Sequence, residues 1–213
     1  MTTAVSRVAA EGIGVGEPVA DRLARAVSIV CAPPSLALPL IGLAAHRVAG
    51  QPGAWAGATI LLATTALLPS LFILAARRAG LVGSLDLTCR TERIVPSMFA
   101  AGCAATAYVL LVRWEAPFLL VAVGLAIALQ LGALALVTTV WKVSYHAAAA
   151  GGLAALAYTL EGATLGLLLL AVAALVAWAR VRLRRHTRAQ VLVGLLTSTP
   201  ILALDRALGG AIG

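Results

Sequence analysis

From residue 26 to residue 204 the chain is a succession of apolar runs, each close to bilayer-crossing length and each stopped by a short cluster of charge. No other feature restricts the fold as much. Hydrocarbon holds no water to satisfy backbone N–H and C=O groups, so such a chain folds as helices of about 20 apolar residues. The runs cover about 26–45, 54–76, 95–112, 117–140, 144–160 and 163–179, with a less apolar one at 187–204. The expected fold is all-α, an integral membrane helical bundle with six to seven transmembrane segments. Charged residues make up 11% of the chain, where a soluble domain carries about 25%, and the mean hydropathy is +1.01. Pro33, Pro34 and Pro39 fall inside the first run and should kink or break it. Residues 1–25 read as an N-terminal interfacial segment, with a short helix from Pro18, and residues 26–213 as one transmembrane helical domain. Met1–Glu17 lacks the apolar core of a signal peptide.

Alternating the runs across a membrane puts the N-terminus and the loops at 77–94, 141–146 and 180–188 on one side. That side carries 13 of the 16 Lys and Arg residues, and Arg47, Arg113 and Arg206 fall on the other. The positive-inside rule makes the basic side cytoplasmic, in the plasma membrane of a prokaryote. The net charge of +8 then reflects cytoplasmic loops and an anionic substrate, and no nucleic-acid partner is expected. Cys31, Cys89 and Cys103 have no CxxC spacing and read as small core residues.

Three polar stretches on that side carry the chemistry. Ala179–Gln190 holds five arginines and His186 in twelve residues. Arg180 follows an apolar run directly, where an unpaired charge is expensive. His186 and Gln190 are four apart, so Gln190 Oε1 is placed to accept the Nδ1–H of His186 and leave Nε2 free to attack. The other arginines of this run suit solvent or anionic lipid headgroups equally well. In Trp141-Lys142-Val143-Ser144-Tyr145-His146, Ser144 is a good N-cap for the Ala-rich run that follows. The helix N-terminus and Lys142 suit a phosphate, and His146 can protonate a leaving oxygen. An ordinary interfacial anchor of Trp and Lys fits this stretch too. In the stretch 86–96, Arg90 and Arg93 are three apart and can present two guanidinium forks to one anion, with Asp86 and Glu92 to hold them. A cytoplasmic loop with compensating ion pairs is the alternative there.

Together the three stretches resemble the type-2 phosphatidic acid phosphatase superfamily. That family carries Lys and Arg before a Pro, then Pro-Ser-Gly-His, then Ser-Arg followed by five residues, His, three residues and Asp. Here Ser144-Tyr145-His146, with Lys142 two residues earlier, matches the second signature. Arg180, five residues, His186, three residues and Gln190 match the third, and Arg90, Arg93 and Pro96 match the first loosely. The resemblance covers roughly residues 50–205. It implies a phosphatase-like domain in which His186 attacks phosphorus to form a phosphohistidine and His146 protonates the leaving alcohol. Arg90, Arg93, Lys142, Ser144 and Arg180 would bind the phosphoryl oxygens, and Asp86, Tyr145 and Trp141 would border the pocket. Three departures stand out. Tyr145 replaces the family's Gly, Gln190 replaces its orienting Asp, and its first Lys is missing, with Asp86 seven residues before Arg93.

The expected activity is therefore hydrolysis of a polyprenyl (di)phosphate or a phosphatidyl-type phosphate, with no metal and no cofactor. The alternatives are a terpene cyclase- or transferase-like enzyme that ionises a prenyl diphosphate in the same cradle, and a catalytically inactive protein that binds or transports an anionic lipid. The partners implied are the lipid or isoprenoid phosphate and the surrounding membrane lipids. The exact lipid and the oligomeric state are left open.

Overall fold

A computed structural model describes residues 18–204. Every regular element among them is helical: α1 Val19–Val30, α2 Pro33–Arg47, α3 Ala54–Leu62, a π-helical turn Ala63–Leu67, α4 Leu68–Arg78, α5 Arg90–Arg113, α6 Phe118–Val140, α7 Tyr145–Glu161, α8 Ala163–Arg182, α9 Arg188–Leu196 and α10 Thr199–Leu202. Most of the expected 1–25 segment, together with Asp205 and Arg206, lies outside the described residues.

The expected six to seven spans are not all confirmed. Among the described residues four helices are long and apolar enough to cross a membrane: Ala54–Arg78, Arg90–Arg113, Phe118–Val140 and Ala163–Arg182. A fifth arises if α1 and α2 count as one, although they meet at 52°. The break falls at Cys31 and Ala32, just before Pro33-Pro34. The residue before a proline is pushed out of helical geometry, and a helix restarts readily with Pro in its first turn. The expected seventh run is divided between α9, of nine residues, and α10, of four, both too short to cross.

Helix α7 is the axis of the bundle and packs against α8, α2 and α9. Its residues Ala147 to Ala157 are buried except Ala149, on all faces of the helix, and such small side chains let neighbouring backbones approach closely. A methyl added at Gly194 of α9 would meet the Ser144 carbonyl at 2.5 Å. At the far end of α7, Arg47 of α2 pairs with Glu161 at 2.8 Å and also donates to the Leu160 carbonyl. That contact fixes the end of the bundle opposite the basic loops.

The helix Ala54–Arg78 widens into the π turn immediately before α4, with Pro69 at the second position of α4. Proline supplies no N–H to the preceding turn, and a π turn is one way a helix absorbs that loss. Stacking of Phe72 on Phe99, with centroids 4.4 Å apart, ties α4 to α5.

Candidate active site

The polar end of the bundle is built by four segments that are far apart in sequence. The stretch Ala179–Gln190 begins as a helix ending. Arg184 takes a left-handed conformation (φ 51°). The Arg184 N–H donates to the Val181 carbonyl and the Arg185 N–H to the Arg180 carbonyl, both at 3.0 Å. This is a Schellman closure, usually made by glycine. It folds the chain back at once, so the His186 N–H also donates to the Arg180 carbonyl, at 3.2 Å. The five-residue spacing between Arg180 and His186 thus places the imidazole beneath the end of α8.

Arg180 is 2% exposed and is the largest fully buried side chain. Its Nη2 donates to both Asp86 carboxylate oxygens, at 3.1 and 2.9 Å, and its Nη1 to the Ser28 hydroxyl of α1 at 2.5 Å. The Arg180 Nε is buried with no partner. Arg185 Nε stands 3.7 Å from the same Asp86 carboxylate. Arg93, also buried, donates from Nε to the Leu87 carbonyl, from Nη2 to the Asp86 carbonyl at 3.2 Å, and from Nη1 to the Val143 carbonyl at 2.9 Å. Its Nη1 also lies 3.4 Å from His186 Nε2. His146 Nε2 reaches the Ser28 carbonyl at 3.2 Å.

His186 is 6% exposed, and its Nδ1 has no hydrogen-bond partner. Burial, followed by the charges of Arg93, Arg180 and Lys142, pushes its pKa down to about 2. The ring is therefore neutral at ordinary pH. With a guanidinium N–H facing Nε2, the proton belongs on Nδ1 and the lone pair on Nε2. The Lys142 ammonium is shifted down by its own partial burial and then by Arg93 and Arg180.

Several expected contacts are not made. Gln190 does not hydrogen-bond to His186 Nδ1. Its Oε1 accepts from the Thr187 N–H at 3.1 Å, and its own N–H donates to the Thr187 hydroxyl at 3.3 Å, forming a capping box at the start of α9. Thr187, adjacent to His186, is a strong N-cap, and Gln three residues later completes the motif. Arg90 does not share an anion with Arg93. Its Nη1 donates to the Thr139 carbonyl and lies 3.5 Å from that of Thr138, so it holds the end of α6. Glu92 accepts from the Gly83 N–H at 3.2 Å and fixes the loop before α5. Ser144 caps α7 as expected, accepting from the Ala147 N–H at 3.3 Å, and its side chain is fully buried. Trp141 is 38% exposed, and Cys89, expected in the core, is on the surface.

A cavity of about 850 Å³ opens beneath this cluster. Arg25, Ser28, Asp86, Arg93, His146, Arg180 and Arg185 line its polar end, with Tyr145 and Ser97 beside them. Leu36, Leu40, Ile73, Ile127, Leu131 and Leu134 line the rest. His186, Lys142 and Ser144 are outside the lining, and Arg93, which lines the space, is the contact of His186 with it. A charged end continuous with an apolar space suits an amphiphile with an anionic head and a hydrocarbon tail. Sequence reasoning missed Ser28, which is bonded toward both Arg180 and His146. Its only signal was a hydroxyl in an amphipathic stretch just before the Pro33-Pro34 break. Among the described residues no three His, Cys, Asp or Glu side chains gather to hold a metal ion. No family model matches the chain, and neither the curated proteins nor the solved structures include a similar one.

Proposed function

We propose that this chain is a membrane-embedded phosphohydrolase of lipid phosphates that works through a phosphohistidine at His186, as the resemblance to the type-2 phosphatidic acid phosphatases implies. The observation that carries the reading is the approach of Arg93 to His186 Nε2 at the polar head of a cavity that is apolar below. The substrate's phosphate enters among Arg93, Arg180 and Arg185 while its tail, polyprenyl or acyl, stays in the apolar part. The phosphate draws Arg93 away from Nε2. The freed lone pair forms a bond to phosphorus, the bond from phosphorus to the alcohol oxygen breaks, and His146, in its imidazolium form with the phosphate bound, gives that oxygen a proton and is left neutral. Water then cleaves the P–N bond, and inorganic phosphate leaves. The arginines spread the charge that builds on the phosphoryl oxygens, usually the dominant contribution in such a step. The excess of Lys and Arg in the loops of this end supports a cytoplasmic orientation for it, in the plasma membrane of a prokaryote.

One observation favours a second outcome in the same cradle. Tyr145 lines the cavity next to the charged end, where its ring could face an allylic cation left by an ionised prenyl diphosphate. A product screen of the purified protein tests both readings. Phosphate plus free alcohol supports hydrolysis, hydrocarbon plus diphosphate supports ionisation, and binding without turnover of any lipid phosphate overturns both.

A further inference from the structure

The cationic cradle already contains an anion that belongs to the chain. The Asp86 carboxylate takes both of its hydrogen bonds from Arg180 Nη2, and its Oδ2 also lies 3.7 Å from Arg185 Nε. The backbone beside it occupies the second arginine, since the carbonyls of Asp86 and Leu87 accept from Arg93. Two adjacent residues thus occupy Arg180 Nη2 and Arg93 Nε and Nη2, donors that would otherwise greet a phosphate.

This position is built into the loop. Leu87 is held in the left-handed region (φ 46°), which a bulky residue adopts only when its surroundings force it. Its side chain is buried with Ala76 and Val82, so the backbone is pinned against α4. The carboxylate itself is less confined. The Asp86 side chain is 28% exposed, against 2% for Arg180. It can turn toward water while the loop stays in place.

We propose that Asp86 is a tethered competitor for the cradle and sets a charge threshold on the ligand, so that the site takes dianionic phosphate monoesters or diphosphates and excludes monoanions such as phosphodiesters and carboxylates. The inference rests on reading the cradle as a phosphate site. A carboxylate and a phosphoryl group cannot share three arginines, because like charges in one partly buried site repel. A ligand of single charge gains no more from the arginines than Asp86 does, and Asp86 pays no entropy of association because the chain already holds it there. A phosphate monoester carries a charge of about −1.5 to −2 near neutral pH and three acceptor oxygens. It outbids the carboxylate for Arg180, and the displaced Asp86 turns outward.

The test is direct binding of dodecyl phosphate and of its methyl diester to the full-length protein in detergent, for the wild type and for Asp86→Asn. The wild type is expected to bind the monoester at least tenfold more tightly than the diester. Asp86→Asn, which keeps the shape and removes the charge, should bind the diester at least tenfold more tightly than the wild type does. Weaker binding of both ligands by Asp86→Asn would show that Asp86 only positions Arg180, and overturns the proposal. Should the variant not fold, equal wild-type affinities for the two ligands, or no binding of the monoester, overturn it just as well. Monoester binding without phosphate release leaves the threshold standing and overturns the hydrolase reading alone.

Discussion

Arg93 Nη1 lies 3.4 Å from His186 Nε2, joining two residues that are 93 positions apart in sequence. The contact fixes which imidazole nitrogen carries the proton, and it puts a positive charge where a phosphoryl group would meet the nucleophile. Replacing His186 with Ala should reduce phosphate release from a lipid phosphate to background, with thermal unfolding in detergent shifted by only a few degrees. Release at the wild-type rate would remove His186 from the chemistry.

Removing charge from Arg93 should act differently. Its guanidinium bonds the carbonyls of Leu87, Asp86 and Val143, so Arg93→Ala leaves buried carbonyls unpaired as well as losing a phosphate ligand. About 1–3 kcal/mol of stability is at stake. Arg93→Lys keeps the charge but not the fork, and should recover part of the stability while kcat stays at least tenfold down. Activity equal to wild type in Arg93→Lys would contradict a role for the fork.

Gln190 now predicts stability instead of catalysis. Gln190→Ala breaks the capping box and should destabilise by about 1 kcal/mol, with kcat changed less than tenfold. Gln190→Glu should keep both, because a carboxylate serves at that position of the box. A large fall in kcat in Gln190→Ala with unchanged stability would restore it to the site.

Arg184 is exposed and holds a left-handed conformation that glycine adopts without strain. Arg184→Gly should therefore stabilise the protein by about 1 kcal/mol and leave turnover unchanged. Thermal unfolding of the two proteins in the same detergent checks this. Gly194→Ala should do the opposite, since the added methyl meets the Ser144 carbonyl at 2.5 Å. Pushing α9 off α7 should cost about 1–3 kcal/mol.

Acid should destabilise the fold through His186. The unfolded chain protonates this imidazole near its ordinary pKa of 6.5, whereas the folded protein resists until about pH 2. The unfolded state then binds more protons, so stability is lost as pH falls below about 6.5, at up to about 1.4 kcal/mol per pH unit. The slope of stability against pH should be shallower in His186→Gln. Identical slopes would mean that the ring is not held neutral.

The sequence revealed the helices better than their number. Length and hydropathy locate α5, α6 and α8 to within a few residues. The expected break at the prolines is found between α1 and α2, just before Pro33-Pro34, whereas Pro39 stays inside α2. Length and hydropathy overrate residues 187–204, where Thr197 and Ser198 separate two short helices. In the site, the Arg180-to-His186 spacing was readable because a helix ending makes it local. The convergence of Arg93, Arg180, His146 and His186 was inferred from loop sidedness; the contacts join Arg93 to His186, and Arg180 and His146 each to Ser28. Gln190 was misassigned because four-residue spacing on a helix says nothing about a competing cap one residue before that helix. Asp86 was placed near the arginines, but its position inside the cradle depends on the backbone turn at Leu87.

The most direct test of the account is to react the purified protein with a lipid phosphate labelled in its phosphorus and to quench in alkali, where a P–N bond survives. The account predicts label covalently attached at His186, released as inorganic phosphate on further incubation, and absent in His186→Ala. Phosphate released with no label ever held by the chain, or label held at another residue, would contradict it.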